Sequence, residues 1–191
     1  MNKKIIHILT ILILGQGVSF SQTGVNGIFK SSNDFVNGKI THAGKHTQLK
    51  THALFEQERL EVKSNDSIYS YLKKDVFGYV DKEGFTYRFL NNSIYPILNP
   101  YERILLYKQT SGTGMKNSPV TETYFFSKDA ASAIQLLTLE NLEHAFSSDK
   151  PFLNILEIHF KKNDDLIDYD SVHKMYKLNR LLQISHEEKH N

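Results

Sequence analysis

The run His186-Glu187-Glu188-Lys189-His190 has the H-E-x-x-H spacing of zinc proteases. On a helix that spacing turns two imidazoles to one face and sets a glutamate beside a metal-bound water. Here no apolar neighbours would exclude water, and no downstream residue supplies a third ligand. The simpler reading is a frayed, solvated tail over 186–191. His42, His46 and His52, with Glu56, form a second cluster. A catalytic zinc takes three protein ligands, but Gly44 interrupts the first pair and no helical apolar stripe surrounds it. These are weak metal candidates set against solvated loop histidines, and no cofactor is expected. His159 and His173 bracket Asp164, Asp165, Asp168 and Asp170, and a histidine with a carboxylate partner can act as a general base. His159 continues the stripe Phe152–Ile155–Leu156 and reads as a hydrogen-bonded core residue. Ser111-Gly112-Thr113-Gly114-Met115-Lys116 is glycine-rich but lacks the spacing of a phosphate loop and joins two strands. No G-x-S-x-G turn occurs, and the absence of cysteine excludes disulfides and thiol catalysis. No catalytic residue is assigned.

Aromatic residues make the most distinctive constellation. Val76–Val80 and Phe85–Leu90 flank Asp81-Lys82-Glu83-Gly84, a hairpin turn in which Gly84 can take the left-handed position. A three-residue loop sets Asp81 against Phe85, Tyr79 against Tyr87 and Phe77 against Phe89. Phe77, Tyr79, Phe85, Tyr87 and Phe89 then share one face. Exposed, that face is a stacking platform for sugar rings or a peptide, with Phe77, Tyr79, Tyr87 and Phe89 as the binding residues. Buried, it is where helices pack, and large apolar faces are seldom left open.

The elements that must position these residues follow from two periods. Between Leu60 and Lys128 apolar residues alternate with polar ones, giving about seven strands. Short connections favour an antiparallel meander. Pro96 demotes the strand Ser93–Leu98 to an edge, since proline cannot donate to a ladder. After Lys128 the period becomes helical. Leu139, Leu142 and Phe146 lie on a short helix capped by Thr138, Pro151 opens the next, and a last helix over about Tyr169–Gln183 buries Val172, Met175, Tyr176, Leu178 and Leu182. Strands followed by two to three helices packed on the sheet make an α+β fold. The domain spans 60–185, after a loosely ordered lead-in over 22–59 in which Phe29 and Phe35 dock on the body and Asn37-Gly38 turns.

The first 21 residues read as an export signal: Lys3 and Lys4, the apolar run Ile5–Leu14, then Ser19-Phe20-Ser21 before Gln22. About ten apolar residues are too few to span a bilayer core that needs ~20. Cleavage after Ser21 leaves a secreted or periplasmic chain with no stable membrane insertion. The signal holds two of the 23 Lys and Arg and none of the 21 Asp and Glu, so the remainder is electrically balanced. A balanced chain lacks the basic footprint of a nucleic-acid binder.

A set of segments together resembles a family of uncharacterised secreted proteins of Bacteroidota. They are Gly27-Ile28-Phe29-Lys30 with Asp34-Phe35 and Asn37-Gly38-Lys39, Val76-Phe77-Gly78-Tyr79 with Tyr87-Arg88-Phe89, and Ile104-Leu105-Leu106-Tyr107. Tyr124-Phe125-Phe126-Ser127, Leu139-Glu140-Asn141-Leu142 with Ala145-Phe146, and Tyr169-Asp170 with His173–Asn179 complete it. The resemblance implies an envelope or extracellular location and brings no activity, cofactor or catalytic residue. Asp66-Ser67-Ile68 and Asp170-Ser171-Val172 fit a short O-glycosylation pattern of such bacteria, with Ser67 in a loop and Ser171 in the first turn of the last helix. The expected function is a non-enzymatic module that binds a polymer, a peptide or an envelope protein. The alternative is a hydrolase or metal-dependent enzyme whose site is assembled only by the fold.

Overall fold

The computed structural model describes residues 24–51, 58–111 and 120–187. The signal segment 1–21, His52, Glu56, the loop residues Gly112–Lys116 and the end of the H-E-x-x-H run lie outside these.

The chain opens with β1 (Asn26–Phe29), α1 (Ser32–Val36), β2 (Thr41–Gly44), β3 (Gln48–Lys50), β4 (Arg59–Ser64) and β5 (Ser67–Leu72). A 3-10 turn at Lys73–Asp75 leads to β6 (Gly78–Val80), β7 (Thr86–Leu90), β8 (Ser93–Pro96), β9 (Leu105–Ser111), β10 (Thr121–Ser127) and β11 (Gln135–Leu136). α2 (Leu139–Ala145), α3 (Lys150–His159), a 3-10 segment (Asn163–Ile167), β12 (Tyr169–Asp170), β13 (Met175–Tyr176) and α4 (Lys177–Glu187) follow.

The fold mixes helices with antiparallel sheets, but the strands do not form one seven-stranded meander. They split into a five-stranded sheet ordered β2-β1-β6-β7-β8, two three-stranded sheets, β3-β4-β5 and β11-β10-β9, and the small β12-β13 ribbon. The segment expected as a loose lead-in supplies β1, which lies between β2 and β6 and is buried along its whole length. Its apolar core, Ile28 and Phe29, sits between polar residues and glycines and is too short to show a period. Phe29 and Phe35 do dock, edge to face at 5.5 Å. Gly38 turns the chain at φ 66°. Pro96 lies on the edge strand, as its missing N–H requires.

Three apolar clusters hold the layers together. On one side of the five-stranded sheet Ile28, Val76 and Phe89 meet Leu60 and Val62 of β4. On the other, Phe29, Phe35, Phe77 and Val80 meet Leu105 and Tyr107 of β9. The opposite face of β9 and β10, through Ile104, Leu106 and Phe126, takes the helices. Arg88 bonds across the middle cluster: its guanidinium donates to the Tyr107 hydroxyl at 2.9 Å, to Ser127 Oγ at 3.2 Å and to the Ser132 carbonyl at 2.8 Å.

The C-terminal helices therefore pack on β9–β10 and not on the aromatic hairpin. α4 buries Leu178, Leu181 and Leu182 but starts at Lys177. Residues 169–176 form the β12–β13 ribbon instead, which leaves Val172 83 % exposed at its tip. Asp170 breaks the expected helix by accepting the N–H groups of Val172 and His173, a local bond that competes with helical pairing. Thr138 caps α2 by accepting from Asn141 N–H at 3.1 Å. α3 buries Phe152 and Leu156 behind Pro151.

Candidate binding groove

The 81–84 hairpin forms as its residues require. Gly84 sits at φ +90° and donates to the Asp81 carbonyl at 3.0 Å, while Asp81 N–H donates to the Phe85 carbonyl. Tyr79 pairs with Tyr87, their rings stacked at 4.5 Å and 11°, and Phe89 leans on Tyr79 at 5.6 Å. The five aromatics do not share one face. The ladder begins at Gly78, and Phe77 donates its N–H to the Phe29 carbonyl, so alternation fails there. Phe77 turns to the side of Phe35 and Arg88, stacking on Phe35 at 4.7 Å. Phe77 and Phe89 are buried on opposite sides of the sheet, where burial favours a packing role over the stacking platform. Tyr79 and Tyr87 are half-buried, and Phe85 is 64 % exposed.

Beside Tyr79 a groove of about 570 Å3 runs between this hairpin and the β2–β3 connection. Asn26, His46, Thr47, Gln48 and Leu49 form one wall, and Tyr79, Asp81, Lys82 and Glu83 the other. Asp81 is fixed twice: Oδ1 accepts Phe85 N–H at 2.8 Å and Oδ2 accepts the Tyr87 hydroxyl at 2.9 Å. Burial first, then Asp81, pushes the Tyr87 phenol up to about 12. Tyr79 moves in the same direction, mainly through burial, so both phenols stay protonated donors. Asn26 donates to the Thr47 carbonyl at 2.6 Å and keeps its own side-chain oxygen unpartnered.

The histidine candidates are separated. His42, at φ 57°, stacks on Tyr69 at 4.0 Å and lies 2.6 Å from the Tyr71 hydroxyl. Burial, then Lys30, lowers its pKa. His46 lies on the groove wall instead. His42 lies on β2 and His46 in the connection to β3, so there is no helix whose four-residue spacing would bring the two imidazoles to one face. No group of three metal-binding side chains occurs among the described residues. His159, expected in the core, is exposed at the end of α3. His173 does meet a carboxylate, Asp170 at 2.6 Å, but on the open ribbon tip. There the histidine's N–H groups lower the Asp170 pKa. Ser171 is exposed in that tip rather than in a helix, and Ser67 is exposed after the left-handed pair Asn65 and Asp66.

The expected tail begins inside a helix. α4 runs to Glu187, and His186 Nε2 lies 2.7 Å from Asp149 Oδ2. His186 borders a second groove, of about 540 Å3, with Glu102, Arg103, Asn179 and Met175. Burial raises the Glu102 pKa, against the opposing pull of hydrogen bonds from Asn99, the Tyr176 N–H and Asn179. A carboxyl and an Asp-held imidazole at one opening were not visible in the sequence, where Glu102, Asp149 and His186 lie far apart. Lys73 was also missed: it is 2 % exposed, with its ammonium 5.8 Å from the Phe89 ring centre and its pKa lowered by burial.

No protein-family model matches the chain, and comparisons with curated proteins and with solved structures find no match.

Proposed function

We propose that the chain is an exported, non-enzymatic binding module of the cell envelope, which holds a polyhydroxylated ligand, a glycan, in the groove beside Tyr79. The observation that carries this reading is the pairing of an aromatic wall with a fixed acceptor. Tyr79 is half-buried and braced by Tyr87, and the same Tyr87 orients Asp81 at the groove. Sugar rings offer apolar C–H faces to aromatic rings and vicinal hydroxyls to carboxylates and amides. Gln48, Glu83 and Lys82 add such polar groups on both walls. The signal-like residues 1–21 support export, and the balanced charge of the remainder supports a partner other than nucleic acid. No helix among the described residues is long and apolar enough to cross a membrane.

Titration of the protein against soluble envelope and plant polysaccharides by calorimetry tests the reading. Binding that falls roughly tenfold in Tyr79→Ala supports it. Binding unchanged in Tyr79→Ala, or none across the panel, overturns it.

The groove of Glu102 and His186 favours a second reading, a hydrolase with a carboxyl whose pKa is raised by burial and an imidazole oriented by Asp149. Turnover of chromogenic esters or glycosides that disappears in both Glu102→Gln and His186→Ala would establish it in place of the first.

A further inference from the structure

The groove beside Tyr79 holds a polar group that the fold leaves unused. Gly27 pairs with Val80 and Ile28 with Tyr79, so Asn26 comes beside Asp81 on the face that carries Tyr79. Asn26 is 8 % exposed and lines the groove. Its Nδ2 donates to the Thr47 carbonyl at 2.6 Å, which fixes the amide, because a carbonyl can only accept. The other end of the amide, Oδ1, is buried without a partner. An acceptor left bare in this way is costly until a donor meets it. The neighbouring donor is engaged elsewhere, since Thr47 Oγ1 donates to the His42 carbonyl at 2.7 Å. The permanent charges of the walls cancel: Lys45 and Lys82 stand against Asp81 and Glu83, and Lys82 pairs with Glu83 at 3.5 Å. Leu49 borders the same groove as Tyr79 and adds apolar surface.

We infer that the glycan held in this groove carries an N-acetylated amino sugar, whose acetamido N–H donates to Asn26 Oδ1. This sugar class rests on the glycan reading of the groove and narrows it. An amide N–H donates one bond and requires none in return. A hydroxyl in the same place would bury oxygen lone pairs that need donors of their own, and Asn26 Nδ2 and Thr47 Oγ1 are already engaged. A free ammonium or a uronate brings a charge that walls of cancelling charge do not favour over a neutral group. The acetyl methyl takes the apolar surface at Leu49, while the sugar ring lies against Tyr79. A site whose buried polar group is left unpaired by the wrong ligand discriminates strongly against it.

Calorimetry of the full exported chain with three β-1,4-linked tetrasaccharides tests this. Their units are N-acetylglucosamine, glucose and glucosamine, which differ only at C2. The acetamido tetramer should bind roughly tenfold or more tightly than either of the others. A further pair of probes isolates the N–H. The methyl glycoside of 2-O-acetylglucose keeps the acetyl shape but has an ester oxygen in place of the N–H. It should compete roughly tenfold less well than the methyl glycoside of N-acetylglucosamine. Asn26→Ala removes the acceptor and should bring the acetamido and glucose tetramers within about twofold of each other, whereas Tyr79→Ala should weaken both. If a melting curve shows Asn26→Ala unfolded, the ligand series on the unaltered chain decides alone. Equal, Tyr79-dependent binding of the acetamido and glucose tetramers would overturn the acetamido assignment and leave the glycan reading standing. So would a preference for glucosamine, an ester that competes as well as the amide, or an acetamido preference that survives in folded Asn26→Ala. Binding of no tetramer overturns the assignment and the glycan reading together.

Discussion

Asn179 on α4 and Ile104 before β9 are joined by both of their amide groups, and replacing Asn179 with alanine measures that clamp. Ile104 N–H donates to Asn179 Oδ1 at 2.8 Å, and Asn179 Nδ2 donates to the Ile104 carbonyl at 2.9 Å. Both residues are sealed, at 2 % and 0 % exposure, so water cannot stand in for the lost amide. The two bonds are not equivalent. The Ile104 carbonyl also accepts from Asn99 Nδ2 at 2.8 Å and keeps a partner in the variant. The Ile104 N–H is left bare, at about 1–3 kcal/mol, and the second lost bond adds about 0.5–1 kcal/mol. The expected loss is about 2–4 kcal/mol, a large share of a marginal domain's stability. Urea denaturation should show the midpoint falling by roughly 1 M or more at an unchanged slope. Asn179→Asp keeps the acceptor but sets a carboxylate against a carbonyl in a sealed site, and should be worse still. A loss below about 0.5 kcal/mol in Asn179→Ala would refute the clamp as a stabilising contact.

Further outcomes follow from packing and protonation. Leu182→Asp buries an unpaired carboxylate at a 3 % exposed position and should cost several kcal/mol, whereas Lys177→Asp loses only a 4.0 Å contact with Asp168 and the Phe160 ring face, costing about 1 kcal/mol or less. Equal denaturation midpoints for the two would contradict the packing of α4. A Cβ at Gly78 would stand 1.9 Å from the Tyr87 carbonyl oxygen, so Gly78→Ala should cost about 1–3 kcal/mol or fail to fold, and a native melting curve would argue against the β6–β7 approach. The raised pKa of Glu102 means that the folded chain holds this proton more tightly than the unfolded chain does. Its penalty is absent below the ordinary value of 4.5 and grows as pH rises from there through the folded value. Glu102→Gln should therefore stabilise at neutral pH, and that gain should vanish in acid. A gain independent of pH would contradict the assignment.

The local signals in the chain translated well into structure. Thr138, Pro151, Pro96 and Gly84 each occupy the position that its chemistry demands, because caps, turns and edges are settled by one or two residues. The Tyr79–Tyr87 and Phe77–Phe89 oppositions also came from the length of one turn. What the sequence withheld was the sharing of faces. A single irregularity before Gly78 sent Phe77 and Phe89 to opposite clusters, because a side chain's face depends on an unbroken alternation. β1 was hidden because four residues buried on both sides carry no alternation at all. The helix expected at Val172 failed where Asp170 offered the backbone a competing bond. The grooves at Tyr79 and at Glu102 draw their walls from segments far apart in the chain, and no local pattern announces such a meeting.

The clamp between Ile104 and Asn179 spans 75 residues, and β1 waits for β6, which arrives only after α1 and four other strands. Closing such long loops costs chain entropy before the contacts repay it, which slows folding relative to a fold built from neighbours. The order of assembly is therefore set by the last segment to emerge. Until α4 arrives, Ile104, Leu106 and Phe126 lack the Leu178, Leu181 and Leu182 side chains that cover them. A chain interrupted before Lys177 would carry that open apolar face for its whole lifetime and should aggregate or be degraded, so the C-terminal helix acts as the latch that closes the outer face of β9 and β10.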